Sequence, residues 1–95
     1  MYMENLVPSN FYLSQNFPNP FNATTTIQFS LPKTSYITLN VYNSTGELVS
    51  TPLAETLSTG VHRIEWNADE FPSGVYFYKL SGDGISDTKK MILVR

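Results

Sequence analysis

Cysteine is absent from this 95-residue chain. Disulfides, thiolate metal sites and cysteine nucleophiles are therefore excluded together, and the fold must be held by packing alone. Histidine occurs once, at His62, which offers a general base but no constellation around it. No run of about 18 apolar residues occurs, so no membrane-spanning segment is expected. Lysine and arginine total 6 against 8 aspartates and glutamates, for a net charge of −2. With no basic stripe to neutralise phosphates, nucleic acid is not an expected partner. The opening Met1-Tyr-Met-Glu-Asn has neither a basic n-region nor an apolar h-region. It is not a signal peptide, and any export signal is expected upstream, on a longer protein of which this is a piece.

What is there favours a packed domain. The chain is 41% hydrophobic and 14% aromatic but only 15% charged, the reverse of a disordered composition. Its length suits one domain. Residues 1–10, with Pro8, Ser9 and no sustained period, read as a linker, and residues 11–95 as the domain. From Phe11 onward, short apolar alternations are separated by turn residues about every ten positions, the spacing of an all-β sandwich. No helix of useful length can be placed.

Seven strands are predicted: Phe11 to Gln15, Thr25 to Leu31, Tyr36 to Tyr42, Glu47 to Thr51, Val61 to Trp66, Val75 to Leu80 and Ser86 to Val94. Ile27, Phe29 and Leu31 share one face of the second, and Ile37, Leu39 and Val41 one face of the third. Pro52 puts the fourth strand at an edge. The stretch from Pro52 to Thr59 suits a sheet-to-sheet crossover. Tyr76-Phe77-Tyr78 is apolar on both faces, which suggests a central strand covered on both sides. Ser81-Gly82-Asp83-Gly84 is the strongest hairpin signal. The expected fold is a seven-stranded antiparallel immunoglobulin-like β-sandwich, an architecture that does not by itself specify function.

Chemistry is sparse. His62 alternates with Ile64 and Trp66 and is expected as a hydrogen-bonded residue in or near the core. Asp69 and Glu70, and Asp83 and Asp87, read as solvated turn acids; calcium stays open at these loops, without an EF-hand spacing. Asn22-Ala-Thr24 and Asn43-Ser-Thr45 match a glycan acceptor pattern that is short and common. Tyr36, Tyr42, Tyr76, Tyr78 and Trp66 are candidate sugar platforms, with core packing the competing reading for Trp66. The segment Asn16 to Asn22 holds two prolines and three asparagines. It reads either as a rigid structural loop, pinned to the sandwich by Phe17 and Phe21, or as a surface epitope for a partner.

Five blocks in order carry a resemblance. They are Leu13-Ser-Gln-Asn-Phe-Pro-Asn-Pro-Phe-Asn22 running into Thr25-Thr-Ile-Gln-Phe-Ser-Leu-Pro32; Val41-Tyr-Asn43 with Gly46 and Val49; Gly60-Val-His-Arg-Ile-Glu-Trp66; Pro72-Ser-Gly-Val-Tyr-Phe-Tyr-Lys-Leu80; and Thr88-Lys-Lys-Met-Ile-Leu-Val-Arg95. Together they resemble the type A C-terminal sorting domains of the type IX secretion system, over about residues 13 to 95. The pattern is also similar to the immunoglobulin-like module of flagellar hook-capping proteins.

The resemblance implies a C-terminal domain on a larger cargo protein of Bacteroidetes and related phyla. The cargo passes through the periplasm, and the folded domain is recognised by an outer-membrane translocon. A sortase-like peptidase then cuts before the domain, and the cargo is joined to a surface lipopolysaccharide or released. No catalysis and no cofactor are implied. The recurrent motif residues fall on Asn16, Pro18, Asn19, Pro20, Phe21, Asn22, Gly74, Tyr76, Lys90, Met91 and Leu93. The last strand, with Lys89, Lys90 and Arg95, resembles the part the machinery reads, and a terminal edge strand is a natural docking element. Equally, Met91 and Leu93 can be core, and the lysines can protect an edge. A carbohydrate-binding module and a structural immunoglobulin-like interaction module are the competing functions.

Overall fold

The computed structural model describes residues 10–95; the expected linker, Asn10 apart, lies outside the described residues. Seven strands form: β1 (Tyr12–Leu13), β2 (Thr24–Leu31), β3 (Ser35–Tyr42), β4 (Leu48–Leu57), β5 (Gly60–Asn67), β6 (Gly74–Gly82) and β7 (Ile85–Leu93). They make two antiparallel sheets, β1-β2-β5 and β4-β3-β6-β7, packed as the expected immunoglobulin-like sandwich. The inward alternations of β2 and β3 are as the sequence pattern indicates: Ile27, Phe29, Leu31, Ile37, Leu39 and Val41 have no exposed surface. They meet Tyr78, Leu80, Met91 and Leu93 from β6 and β7 in one core.

Two expectations need correction. Pro52 to Leu57 is strand rather than crossover: β4 pairs with β3 as far as Ser35↔Leu57. Two β-bulges break this ladder, between Leu39 and Val41 and between Val41 and Tyr42. Pro52 sits in the first bulge, on an edge strand, where its missing N–H costs no ladder bond. The crossing to the other sheet needs only Ser58 and Thr59. Strand β6 is central but covered on one face only. Tyr76, Tyr78 and Leu80 point inward, while Val75 and Phe77 are half-buried and Lys79 is exposed. An aromatic run is read as two-sided by composition, although a two-layer sandwich has one inside.

The Asp83-Gly84 hairpin is where the sequence puts it, closing on Gly82↔Ile85. Gly84 has φ 73°, a conformation natural to glycine.

Candidate functional site

The loop from Asn16 to Asn22 has no ladder of its own, so its polar groups must be satisfied elsewhere. Asn16 does this from inside. It is 2% exposed; its Nδ2 donates to the Pro18 carbonyl at 3.0 Å and to Thr25 Oγ1 at 2.9 Å. Thr25 Oγ1 in turn donates to the Pro18 carbonyl at 2.9 Å. Phe17 exchanges two 2.9 Å backbone hydrogen bonds with Thr26 of β2. The loop is thereby fixed to β2 at one end.

Its other end is fixed to β7. The Phe21 N–H donates to the Ile92 carbonyl and the Val94 N–H donates to the Phe21 carbonyl, both at 2.9 Å. The Ile92 N–H donates to Asn19 Oδ1 at 3.0 Å. Gln15 Nε2 reaches the Lys90 carbonyl at 2.6 Å. The outer edge of β7 from Lys90 to Val94 is therefore occupied by the chain's own loop, which limits strand addition there. The stretch of β7 before it carries Asp87 and Lys89 in inward-pointing, half-buried positions, a device that discourages pairing.

Beside this seam lies an aromatic cluster. Trp66 packs within 6.1 Å of Phe21, 5.4 Å of Phe71 and 6.2 Å of Tyr76, centroid to centroid. The Tyr76 hydroxyl donates to the Pro72 carbonyl at 2.7 Å. Arg95 closes the same end: its N–H donates to Ser73 Oγ, and its guanidinium donates to the Ala68 and Phe71 carbonyls, all at 2.9 Å. Residues from every end of the sequence thus converge on one corner of the sandwich.

This geometry divides the expected site residues. Asn16, Phe21, Tyr76, Met91 and Leu93 are buried framework. Pro18, Asn19, Pro20, Asn22, Gly74, Lys90 and Arg95 are exposed, and Lys89 is half-buried. One expectation reverses: Phe21 pins the loop with its ring, but Phe17 does not. Phe17 is 79% exposed and is held only through its backbone. It borders an open groove of about 440 Å³ lined by Ser14, Gln15, Thr26, Gln28 and Arg63. Sequence offers no signal that separates the two phenylalanines, because both lie outside any alternation.

The competing sites lose ground. Trp66, Tyr76 and Tyr78 are buried, and Tyr36 and Tyr42 sit at opposite ends of β3, about 20 Å apart at strand rise. No sugar platform is assembled from them. His62 is half-buried as expected, stacked on Phe29 at 5.5 Å and hydrogen-bonded through Nε2 to the Ser58 carbonyl at 2.7 Å. Among the described residues, no three His, Asp or Glu side chains gather as a metal site would require. Asp83 pairs with Lys33 at 3.2 Å on the surface. Asn43, of the second glycan-like triplet, is occupied within its own turn, accepting from the Thr45 and Glu47 N–H groups.

A small immunoglobulin-like sandwich whose N-terminal loop is bolted to its last strand is the class this geometry defines. Residues 15–94 match the model of the secretion system C-terminal sorting domain, and the chain belongs to that type IX family. One solved structure with the same fold has a TM-score of 0.61 and 20% identity, covering 92% of this chain. It is PorZ of Porphyromonas gingivalis, described as an essential bacterial surface component of the type IX secretion system; the chain spans only 12% of its length. Among curated proteins none matches.

Proposed function

We propose that this domain is a non-catalytic address label that directs a larger N-terminal cargo through the type IX secretion system to the cell surface or exterior. The reading is carried by one observation: the recurrent motif residues form a single rigid corner, with some members buried to hold it and others facing outward. Its partners are the fused cargo, the outer-membrane translocon and a sortase-like peptidase. The periplasm is the place of transit. The outward set is Pro18, Asn19, Pro20, Asn22, Gly74, Lys90 and Arg95, to which Phe17 is added here.

The buried set makes simple truncation a poor test. Met91 and Leu93 are core residues, so removing the last strand unfolds the domain whatever its role. The better experiment fuses residues 10–95 to a periplasmic reporter in a host that carries this secretion system. Export of the reporter is expected. Retention in the periplasm, with the domain folded, would refute the reading. Replacing exposed Phe17 and Lys90 together, by Ser and Glu, is expected to reduce export without loss of fold.

A further inference from the structure

A two-sheet sandwich has four edge strands, and three of them are guarded here, each by a different device. Strand β1 has only two residues. The edge of β7 is filled from Lys90 to Val94 by the Gln15–Phe21 loop and carries inward Asp87 and Lys89 before it. Strand β4 carries Pro52 and two bulges. Short strands, covering loops, prolines and bulges are the usual protections of an edge. Strand β5 has none of these four, and its only guards are the charges of Arg63 and Glu65. It runs eight residues without proline, and its register with β2 is unbroken from Thr24↔Asn67 to Leu31↔Gly60.

The hydrogen-bonding direction of β5 follows from β2. Thr26 and Gln28 aim their backbone groups at the Phe17 and Ser14 side. Backbone groups alternate along a strand, so Thr25, Ile27, Phe29 and Leu31 face β5. Their partners Trp66, Ile64, His62 and Gly60 face back. Val61, Arg63, Glu65 and Asn67 therefore turn their N–H and C=O groups to the open edge. Among the described residues these groups have no backbone partner. The four side chains lie exposed on the outer face of the sheet.

We infer that the β5 edge is a pairing surface for a second copy of this chain, joined antiparallel about a two-fold axis at Ile64. The charge pattern selects that partner and that register. With the axis at Ile64, Arg63 lies opposite the second copy's Glu65, and Glu65 opposite its Arg63, in hydrogen-bonded pairs. An axis at Arg63 or at Glu65 sets like charges directly opposite each other, which is unfavourable. In the selected register Val61, half exposed at 50%, lies opposite Asn67, and the half-buried Ile64 meets its own copy on the inner face. The two three-stranded sheets become one sheet of six. The open edge is distinct from the loop corner, although Arg63 also donates through Nε to Gln28 Oε1 at 2.8 Å and borders the groove beside Phe17.

Sedimentation of the full 95-residue chain from micromolar to millimolar concentration tests this. A reversible dimer is expected. Glu65→Arg is expected to weaken it about tenfold, because two attractive pairs become repulsive, and Glu65→Arg with Arg63→Glu is expected to restore it. Both positions are exposed, and circular dichroism confirms that each variant is folded. Register is read by disulfide trapping, since the native chain has no cysteine. An equimolar mixture of Arg63→Cys and Glu65→Cys chains is expected to cross-link as the mixed pair, about 5.5 Å between Cα atoms. Like-with-like pairs, about 7–8 Å apart on the diagonal, are expected to form poorly because they exceed disulfide reach. A chain monomeric at every concentration overturns the inference. So does a dimer that the double charge swap fails to restore, or one that traps 63 with 63.

Discussion

On one side of the sandwich, the edge of β7 is filled by a loop from 73 residues away in sequence, through Asn19 and Ile92. On the other side, β4 and β5 meet solvent directly, and only β4 is bent by bulges. Both sides face the same physical demand, which is to satisfy or protect a row of backbone donors and acceptors. The β7 side meets it with a loop of asparagines, prolines and phenylalanines, anchored by buried Asn16 and Phe21. The β5 side leaves its row open over a regular strand. Substitutions should therefore be expensive on the first side and cheap on the second, and the contrast can be tested residue by residue.

The largest effect is expected at Phe21. Its ring is 2% exposed and packs against Trp66, and its backbone bonds Ile92 and Val94 on either side of Leu93. Phe21→Ala leaves a cavity at the seam and should cost about 3–5 kcal/mol, read from the midpoint shift in urea denaturation. A cost below 1 kcal/mol would mean that the loop contributes little to closing the β7 side.

Asn16→Ala comes next. It deletes an amide that donates to the Pro18 carbonyl and Thr25 Oγ1 and accepts from Gln15 Nε2. Leaving such buried groups short of partners should cost about 1–3 kcal/mol, by the same titration. Pairing it with Thr25→Val in a double-mutant cycle should give less than the sum, because Thr25 shares the Pro18 acceptor.

An alkaline effect of similar or smaller size is expected from Tyr78. Its hydroxyl donates to the Ser14 carbonyl at 2.6 Å, tying β6 to the segment that leads into the loop. Burial pushes this phenol up to about 12; a backbone contact at Asn16 works against the shift and the Asp87 carboxylate adds to it. Burial raises Tyr76 as well, against an opposing pull from Arg95. An unfolded tyrosine releases its proton near pH 10, whereas the folded one holds it to about 12. Between those values the unfolded state binds fewer protons, so stability is complete below pH 10 and falls as pH rises towards 12. Denaturation midpoints at pH 8, 10 and 11.5 should show the fall. Tyr78→Phe should flatten it while costing about 1 kcal/mol at neutral pH for the lost hydrogen bond.

The same contrast separates what the sequence announces from what it hides. Alternation at Ile27-Phe29-Leu31 and Ile37-Leu39-Val41 announces the core, because a strand shows its inward face every second residue. Asp83-Gly84 announces the hairpin through its turn chemistry. The continuation of β4 through Pro52 is hidden, since proline ordinarily ends a strand and only a bulge on an edge accommodates it. The seam between Asn19 and Ile92 is hidden too: it depends on contacts across nearly the whole chain, which no local pattern encodes. The corner's members were legible only as separate motif blocks, and the division between buried Phe21 and exposed Phe17 emerges only when the loop is laid on β2.

Phe17 gives the smallest expected change in stability and the sharpest test of that division. It shares a loop with Phe21 and is separated from it by three residues, yet its ring is 79% exposed. Its two backbone bonds to Thr26 survive any side-chain replacement. Phe17→Ser should therefore leave the urea midpoint within about 0.5 kcal/mol of the parent. Under the proposed function, a single exposed ring that borders a groove and adds nothing to the fold is expected to act in recognition. Export of a fused reporter is the second measurement: it should fall for Phe17→Ser while stability holds. If stability drops by as much as for Phe21→Ala, the ring is framework after all. The outward set at the corner would then shrink to the two prolines, the two exposed asparagines, Gly74, Lys90 and Arg95.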